Sequence, residues 1–313
     1  MFEKYIGWHL ELTRRCAIAC PACPRTYNAH LYKNLKKDLP LEDIKNFFHD
    51  KNYIKEIEYM MFCGTLGDPI YHPKFHEISE WFFDAKDLAV ITNGVHNINF
   101  WSRVLETWPS NSKITLSIDG LKDTNHIYRV NSKWESIEQL LSLISKKKHK
   151  SIIEWKFIVF EHNYHQIDEA KKLSEKVGID IFKIQKTRPL NNIPNIPEHI
   201  KEYHMEEYFE KQKFENIIVP WCYSGDMHYI DADGFYAPCC WFGNEKTFWN
   251  HNIKNYSIEN LYNEFVNFSK KHLENGFDNA PKACKNFCKK IVNNKLEYIA
   301  PNTQVNRRII KHD

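Results

Sequence analysis

The sequence predicts an α/β fold, a parallel sheet with helices packed on it, followed by a smaller region of different texture. Three observations carry this. Over the first 190 residues, short apolar runs alternate with longer runs whose apolar residues recur every three or four positions. The breaker-rich stretch Pro189-Leu-Asn-Asn-Ile-Pro-Asn-Ile-Pro197 then interrupts the pattern, and a hairpin and one helix follow. The nine cysteines fall into a set near the start and a set beyond that stretch, with Cys63 between them.

The apolar runs predict strands at Gly7–Leu12, Ile57–Phe62, Leu88–Ile91, Ile114–Ile118, Ile152–Phe160 and Ile179–Ile184. Spacings of three and four mark helices with one buried face. The first starts after Pro40 with Leu41, Ile44, Phe47 and Phe48, and the second carries Phe75, Ile78, Trp81 and Phe82. The third carries Ile137, Leu140, Leu141 and Ile144, and the fourth Ile167, Ala170, Leu173 and Val177. Strand–helix alternation implies a parallel sheet, closed as a barrel or open and doubly wound, with ligands at the carboxyl ends of the strands. Lys146 to Lys150 reads as a solvated helix C-terminus. Beyond the breaker stretch, His228–Asp231 and Phe235–Pro238 flank Asp231-Ala-Asp233-Gly234, a hairpin with Gly at the tight position. Ser257 is the expected N-cap of a helix carrying Leu261, Phe265 and Phe268, and Arg307 to Lys311 form a solvated tail. This divides the chain into 1–190, a linker at 191–215, and 216–313.

With 43 basic and 40 acidic residues and a net charge of +3, the composition demands neither nucleic acid nor an anionic membrane. No run reaches the roughly 18 apolar residues of a membrane span. An odd cysteine count without a signal-peptide pattern argues against a disulfide framework. The expectation is a cytoplasmic, reduced, oxygen-sensitive protein.

Cys16, Cys20 and Cys23 stand as C-A-I-A-C-P-A-C, with Pro21 and Pro24 keeping the segment a loop. Soft thiolates suit iron–sulfur clusters, and three of them hold three irons of a [4Fe–4S] cube, leaving the fourth open to a small molecule. Zinc is the alternative; a structural zinc site needs four ligands, and His9 and His30 are the nearest candidates for the fourth.

The CxxxCxxC run after the first strand resembles the signature of the radical S-adenosylmethionine superfamily. Three further blocks follow in that family's order. Phe62-Cys63-Gly64-Thr65-Leu66-Gly67-Asp68-Pro69 is similar to its glycine-rich segment, with Asp68 where Glu is usual. Ile91-Thr92-Asn93-Gly94 resembles the segment after strand three, and Leu116-Ser117-Ile118-Asp119-Gly120 resembles strand four, with Arg129 downstream. The resemblance implies an open, partial (β/α)6 barrel, a [4Fe–4S] cluster on Cys16, Cys20 and Cys23, and S-adenosylmethionine on its open iron. It further implies that Gly64, Gly67 and Asp68 meet the methionyl ammonium, that Thr92 and Asn93 bond the ribose or methionyl group, and that Ser117 and Arg129 hold the carboxylate. Asp119-Gly120 is equally a turn. The family has a large residue before the last cysteine, where this chain has Ala22, so Tyr27 or Phe160 is expected to wall the adenine.

Cys222, Cys239, Cys240, Cys284 and Cys288 follow the breaker stretch. Their spacing resembles the twitch domain, the shortened SPASM extension, which holds an auxiliary [4Fe–4S] cluster. That implies Cys222, Cys239, Cys284 and Cys288 as ligands, with Cys239 preferred over Cys240 by its spacing from Gly234 and not both, because adjacent side chains on a strand point apart. A four-thiolate zinc knuckle is the alternative. Cys63 reads as a small buried hydrophobe or as a hydrogen-atom donor to a substrate radical.

The resemblance thus implies reductive cleavage of S-adenosylmethionine to a 5′-deoxyadenosyl radical, fed by a donor such as flavodoxin or ferredoxin, and hydrogen abstraction from substrate. An auxiliary cluster suits an oxidative outcome. Modification of a peptide or protein side chain is favoured over a dehydrogenase or epimerase of a small sugar or cyclitol. With Cys16 so early, no additional N-terminal peptide-recognition domain is expected. His9, Glu11, Lys156, Gln185, Arg188, Trp221 and Trp241 are candidate substrate contacts. A non-catalytic iron–sulfur or zinc protein that binds RNA would need a basic, aromatic-studded face, which the near-neutral charge does not suggest.

Overall fold

The structure is a computed structural model and describes residues 7–32, 38–146, 148–186, 197–203, 218–219, 227–240, 251–272, 289–292 and 295–297. Cys222, Cys284, Cys288, Arg188, Trp221, Trp241, the breaker stretch before Pro197 and the tail at Arg307 lie outside the described residues.

All six strands expected before the breaker stretch form, each within a few residues of its expected bounds. They are β1 (Gly7–Leu10), β2 (Tyr59–Cys63), β3 (Leu88–Thr92), β4 (Ser112–Ser117), β5 (Ile152–Phe157) and β6 (Ile181–Ile184). Each pairs in parallel with the next. Short strands β7 (Ile218–Val219), β8 (His228–Ile230), β9 (Tyr236–Ala237), β10 (Lys289–Val292) and β11 (Lys295–Glu297) follow. The main sheet runs β6-β5-β4-β3-β2-β1-β8-β9. It is a barrel that does not close, because the outer edge of β1 is taken by β8 rather than by β6. The hairpin around Gly234 (φ +86°, a left-handed conformation suited to glycine) is as expected. Its first strand extends the barrel sheet in parallel with β1. Strands β7, β10 and β11 form a second, three-stranded sheet.

The helices follow the apolar spacing. Helix Trp134–Lys146 buries Ile137, Leu140, Leu141 and Ile144, and Gly178 in a left-handed conformation ends helix Ile167–Val177. The segment after Pro40 is two short helices, Leu41–Phe47 and Lys51–Glu56, the second capped by Asp50. The hydroxyl of Ser257 accepts the Asn260 N–H (3.2 Å) and caps helix Ile258–His272.

The two faces of the sheet differ sharply. Trp8, Leu10, Phe62, Val90, Ile114, Leu116, Ile153 and Trp155 are fully buried against the helices. The opposite face carries His9, Glu11, Cys63, Thr115, Ser117, Glu154 and Lys156, as the strand registers require. The apolar side therefore holds the barrel together, and the polar side is free for chemistry. No helix among the described residues is long and apolar enough to cross a membrane.

Trp8 anchors β1 to the helix layer. Its ring meets Phe47 and Phe48 edge-on at 5.6 and 5.1 Å, and its Nε1 donates to the Tyr53 hydroxyl (2.8 Å). Trp8→Ala is therefore expected to cost about 3–5 kcal/mol in urea unfolding, the range for emptying a large core site. A cost below about 1 kcal/mol would show that β1 is not held there.

Candidate functional site

The cysteine loop leaves β1 and lies across the carboxyl ends of the barrel strands. Backbone bonds seat it: the Ala19 N–H donates to the Val130 carbonyl (2.9 Å), and the Asp68 N–H to the Arg15 carbonyl (2.8 Å). Arg25 donates to the Ile18 carbonyl. The Gly64-to-Gly67 turn presses on the same segment, and a Cβ on Gly67 would lie 2.0 Å from the Thr13 carbonyl oxygen. Only glycine permits that approach.

Cys16, Cys20 and Cys23 are free thiols. Two of them receive N–H donors, one from the end of β3 and one from the cap of the short helix Asn125–Tyr128 that follows β4. Asn93 Nδ2 is 3.5 Å from Cys16 Sγ, and Arg129 Nη1 is 3.7 Å from Cys20 Sγ. Burial pushes the Cys16 thiol up to about 12, and burial raises Cys20 despite the opposing pull of Arg129. Such thiols stay protonated unless a metal takes the proton's place. Among the described residues, no group of three His, Cys, Asp or Glu closes around a single ion. A cube does not ask for that, since each thiolate meets a different iron. Three soft donors on one loop, two of them already receiving N–H groups, fit a cluster of this kind. His9, an alternative fourth ligand, is instead bonded to the Cys63 carbonyl, and His30 lies on helix Ala29–Tyr32.

The residues expected around S-adenosylmethionine converge beside this loop, with several committed to one another. Asp68 is 5% exposed. Its Oδ2 accepts from Thr92 Oγ1 (3.0 Å), Asn93 N (2.7 Å) and Asn93 Nδ2 (2.5 Å), while Oδ1 accepts from Ile70 N (3.3 Å). Burial raises its carboxyl to about 6, against the pull of those bonds. Where the sequence suggested an acceptor for a ligand ammonium, the structure shows a carboxylate that orients Thr92 and Asn93. Arg129 likewise gives its Nε to Asp119 Oδ2 (2.6 Å), and Asp119 Oδ1 accepts from Ile158 N (2.7 Å). Asp119 is thus a buried counter-ion as well as a turn residue. Ser117 is half-buried on the inner face, level with Lys156 of β5, and Ala22 is half-buried on the loop.

Of the two candidate adenine walls, Tyr27 is 39% exposed, whereas Phe160 is 4% exposed and packs on Tyr128 with ring centroids 4.4 Å apart. Tyr128 was not singled out in the sequence; its position beside Arg129 was the available signal. Cys63 lies on the inner face with its thiol raised to about 12 by burial, and it lies within electrostatic reach of Cys240. Cys239 and Cys240 are half-buried just past β9. Glu11 is fully enclosed, accepting from Leu66 N (2.6 Å) and the Tyr229 hydroxyl, so it braces β1, the glycine turn and β8. Tyr229 was missed because its partner lies 218 residues away.

The sequence matches no protein-family model and no curated protein. Solved structures do match. Streptococcus suis SuiB bound to S-adenosylmethionine superposes with a TM-score of 0.60 at 12% identity, covering 85% of this chain and 67% of that one. The native anSMEcpe protein with bound AdoMet gives 0.57 at 13%, covering 92% and 90%. SuiB bound to its precursor peptide SuiA gives 0.55 at 12%, covering 81% and 64%. The chain shares their fold. It spans about two thirds of the length of SuiB. The partial barrel that the motifs implied is therefore the observed architecture.

Two outcomes follow from this geometry. Asp119→Asn strands the buried Arg129 cation and should cost about 3–5 kcal/mol in chemical denaturation, the range for breaking a buried pair. A cost under about 1 kcal/mol would mean the pair behaves as an exposed one. Burial pulls His9 down to about 4 from 6.5, with the Cys63 carbonyl bond opposing. Below pH 6.5 the unfolded chain thus binds more protons than the folded one. The stability carried by neutral His9 is present above 6.5 and lost as pH falls toward about 4. Urea midpoints should fall more steeply over that window in the wild type than in His9→Gln; parallel profiles would refute the assignment.

Proposed function

We propose that this chain is a radical S-adenosylmethionine enzyme that oxidatively modifies a peptide or protein side chain. The observation that carries the reading is the placement of Cys16, Cys20 and Cys23 at the carboxyl ends of a partial barrel, with Asn93 and Arg129 donating to two of the sulfurs. These cysteines would hold a [4Fe–4S] cluster. When bound, the cluster and S-adenosylmethionine supply a reductively generated 5′-deoxyadenosyl radical able to take a hydrogen atom from an unactivated C–H bond.

The chain's own residues provide the setting. Asp68 holds Thr92 and Asn93, which would bond the ribose or methionyl group. Ser117 and the guanidinium of Arg129, held by Asp119, would bind the methionyl carboxylate. Phe160 and Tyr128 offer an apolar wall. The raised Cys63 thiol keeps its S–H at neutral pH, as a hydrogen-atom donor must. Solved proteins of this fold, SuiB with SuiA and anSMEcpe with the Cp18Cys peptide, are bound to peptides, and this supports the substrate class. Cys222, Cys239, Cys284 and Cys288 would hold a second cluster in a twitch-like region, with Cys240 the reserve ligand. A reduced cytoplasmic setting and an electron donor such as flavodoxin or ferredoxin complete the reading.

Anaerobically reconstituted protein should carry about eight irons, and replacing Cys16, Cys20 and Cys23 with Ala should remove about four. Reduced protein given S-adenosylmethionine should release 5′-deoxyadenosine slowly without substrate, and Cys20→Ala should abolish it. Zinc alone in the wild type, or unchanged 5′-deoxyadenosine in Cys20→Ala, would overturn the reading.

Cys222→Ala and Cys288→Ala should lose about four irons and product formation while keeping uncoupled cofactor cleavage. Cys239→Ala should do more harm than Cys240→Ala. Full iron in Cys239→Ala, with loss in Cys240→Ala, would reverse the ligand choice.

A further inference from the structure

The inner face of β4, β5 and β6 carries Lys113, Lys156 and Lys183, one from each strand. A single carboxylate on these strands, Glu154, faces them. Glu154 is already engaged, with its Oε2 3.5 Å from Lys113 Nζ and its Oε1 accepting from Thr115 Oγ1 at 3.2 Å. Lys156 and Lys183 have no hydrogen-bond or ion-pair partner among the described residues. They are direct neighbours in register across β5 and β6, and Lys156 is level with Ser117 across β4.

Like charges directly opposed across a strand pair are destabilising. A half-buried lysine also loses hydration without gaining a counter-ion. Burial accordingly lowers both ammonium groups, and the neighbouring Lys113 lowers them further, while Glu154 resists. The nearest other cation, Arg129, has its own counter-ion in Asp119. The unpaired lysines sit one residue level nearer the strand ends than Thr115 and Glu154, toward the cysteine loop. The layer below them is closed, with Thr115 and Glu154 at most 4% exposed. Ser117, Lys156 and Lys183 are half-buried, so among the described residues this level is more accessible than the one below it.

We propose that Lys156 and Lys183 form a subsite for an anionic substrate group, a carboxylate or a phosphate, and thereby select an acidic substrate. This rests on the radical S-adenosylmethionine reading for its position beside the cofactor, and it adds the charge class of the substrate. Two ammonium groups on adjacent strands can bracket one carboxylate or phosphate, and a neutral group there would leave both charges unpaired.

The test uses the full-length reconstituted protein in calorimetric titrations with glutarate, inorganic phosphate and the neutral analogue glutaramide, each with and without saturating S-adenosylmethionine. At least one anion should bind about tenfold or more tightly than glutaramide. Which anion prevails distinguishes a carboxylate-bearing from a phosphate-bearing substrate. A Lys156→Met/Lys183→Met variant, which keeps the apolar stems, should lose about tenfold. The Lys156→Arg/Lys183→Arg variant, which retains both charges, should bind like the wild type, and it serves as the control if the Met variant unfolds.

Equal affinity for glutaramide, or an unaffected Met variant, would overturn the proposal. Competition between the anion and S-adenosylmethionine would also overturn it, assigning the lysines to the cofactor's own carboxylate. Charge-selective binding in a protein that never yields 5′-deoxyadenosine would count against the enzymatic reading alone. Cofactor cleavage without charge selectivity would count against this subsite alone.

Discussion

The site depends on the buried carboxylate of Asp68. One oxygen gathers the Thr92 hydroxyl and both the backbone and side-chain N–H groups of Asn93, and the other caps the short turn at Pro69–Tyr71. Through Asn93 the same network reaches the sulfur of Cys16, and through its own N–H Asp68 is tied to the start of the cysteine loop. A carboxylate this buried is tolerable because donors surround it. Those donors come from the ends of β2 and β3, so a single side chain sets the spacing between two strand ends and the loop. The close approach of Gly67 to Thr13 completes the clamp.

An ion-pair system works on the far side of the loop. Asp119 is wholly buried and holds Arg129, whose guanidinium extends to Cys20 and lies over the Tyr128 ring at 5.4 Å. Asn163 anchors the Asp119 backbone carbonyl at 2.8 Å. Between these two systems the cysteine loop has polar support from three strand ends while its own residue Ile18 is buried in the core. Breaking either buried network leaves an uncompensated charge, which makes this end of the barrel rigid for energetic reasons.

The hairpin beyond the breaker stretch is joined to the barrel by the same physics. Arg14, just past β1, meets Asp233 at 2.9 Å and Asp231 at 3.6 Å, all three nearly buried. Glu11 accepts the Tyr229 hydroxyl one turn of chain earlier. These contacts, with the β1–β8 pairing, fix the hairpin that leads into Cys239 and Cys240 against the edge of the barrel sheet.

Alternation of apolar and amphipathic runs was enough to place all six barrel strands and five helices, though not helix Ile98–Thr107, because burial on one face writes a period into the local sequence. The cysteine spacing, the glycine turn and the Asp231-to-Gly234 hairpin were legible for the same reason: each is a constraint satisfied within a few residues. The partners of the polar side chains were not legible. Asp68, Asp119 and Arg129 also bond other protein groups that only folding brings near. The addition of β8 to the edge of β1, the bracing of Glu11 by Tyr229 and the register of Lys156 beside Lys183 join residues up to 220 positions apart. Local pattern carries no record of such distances. The sequence by itself determined the strands, the loop and its chemistry of soft donors. Only the tertiary structure decided which charges are neutralised by other protein groups, because a charge is satisfied by whatever the fold places within a few ångströms of it.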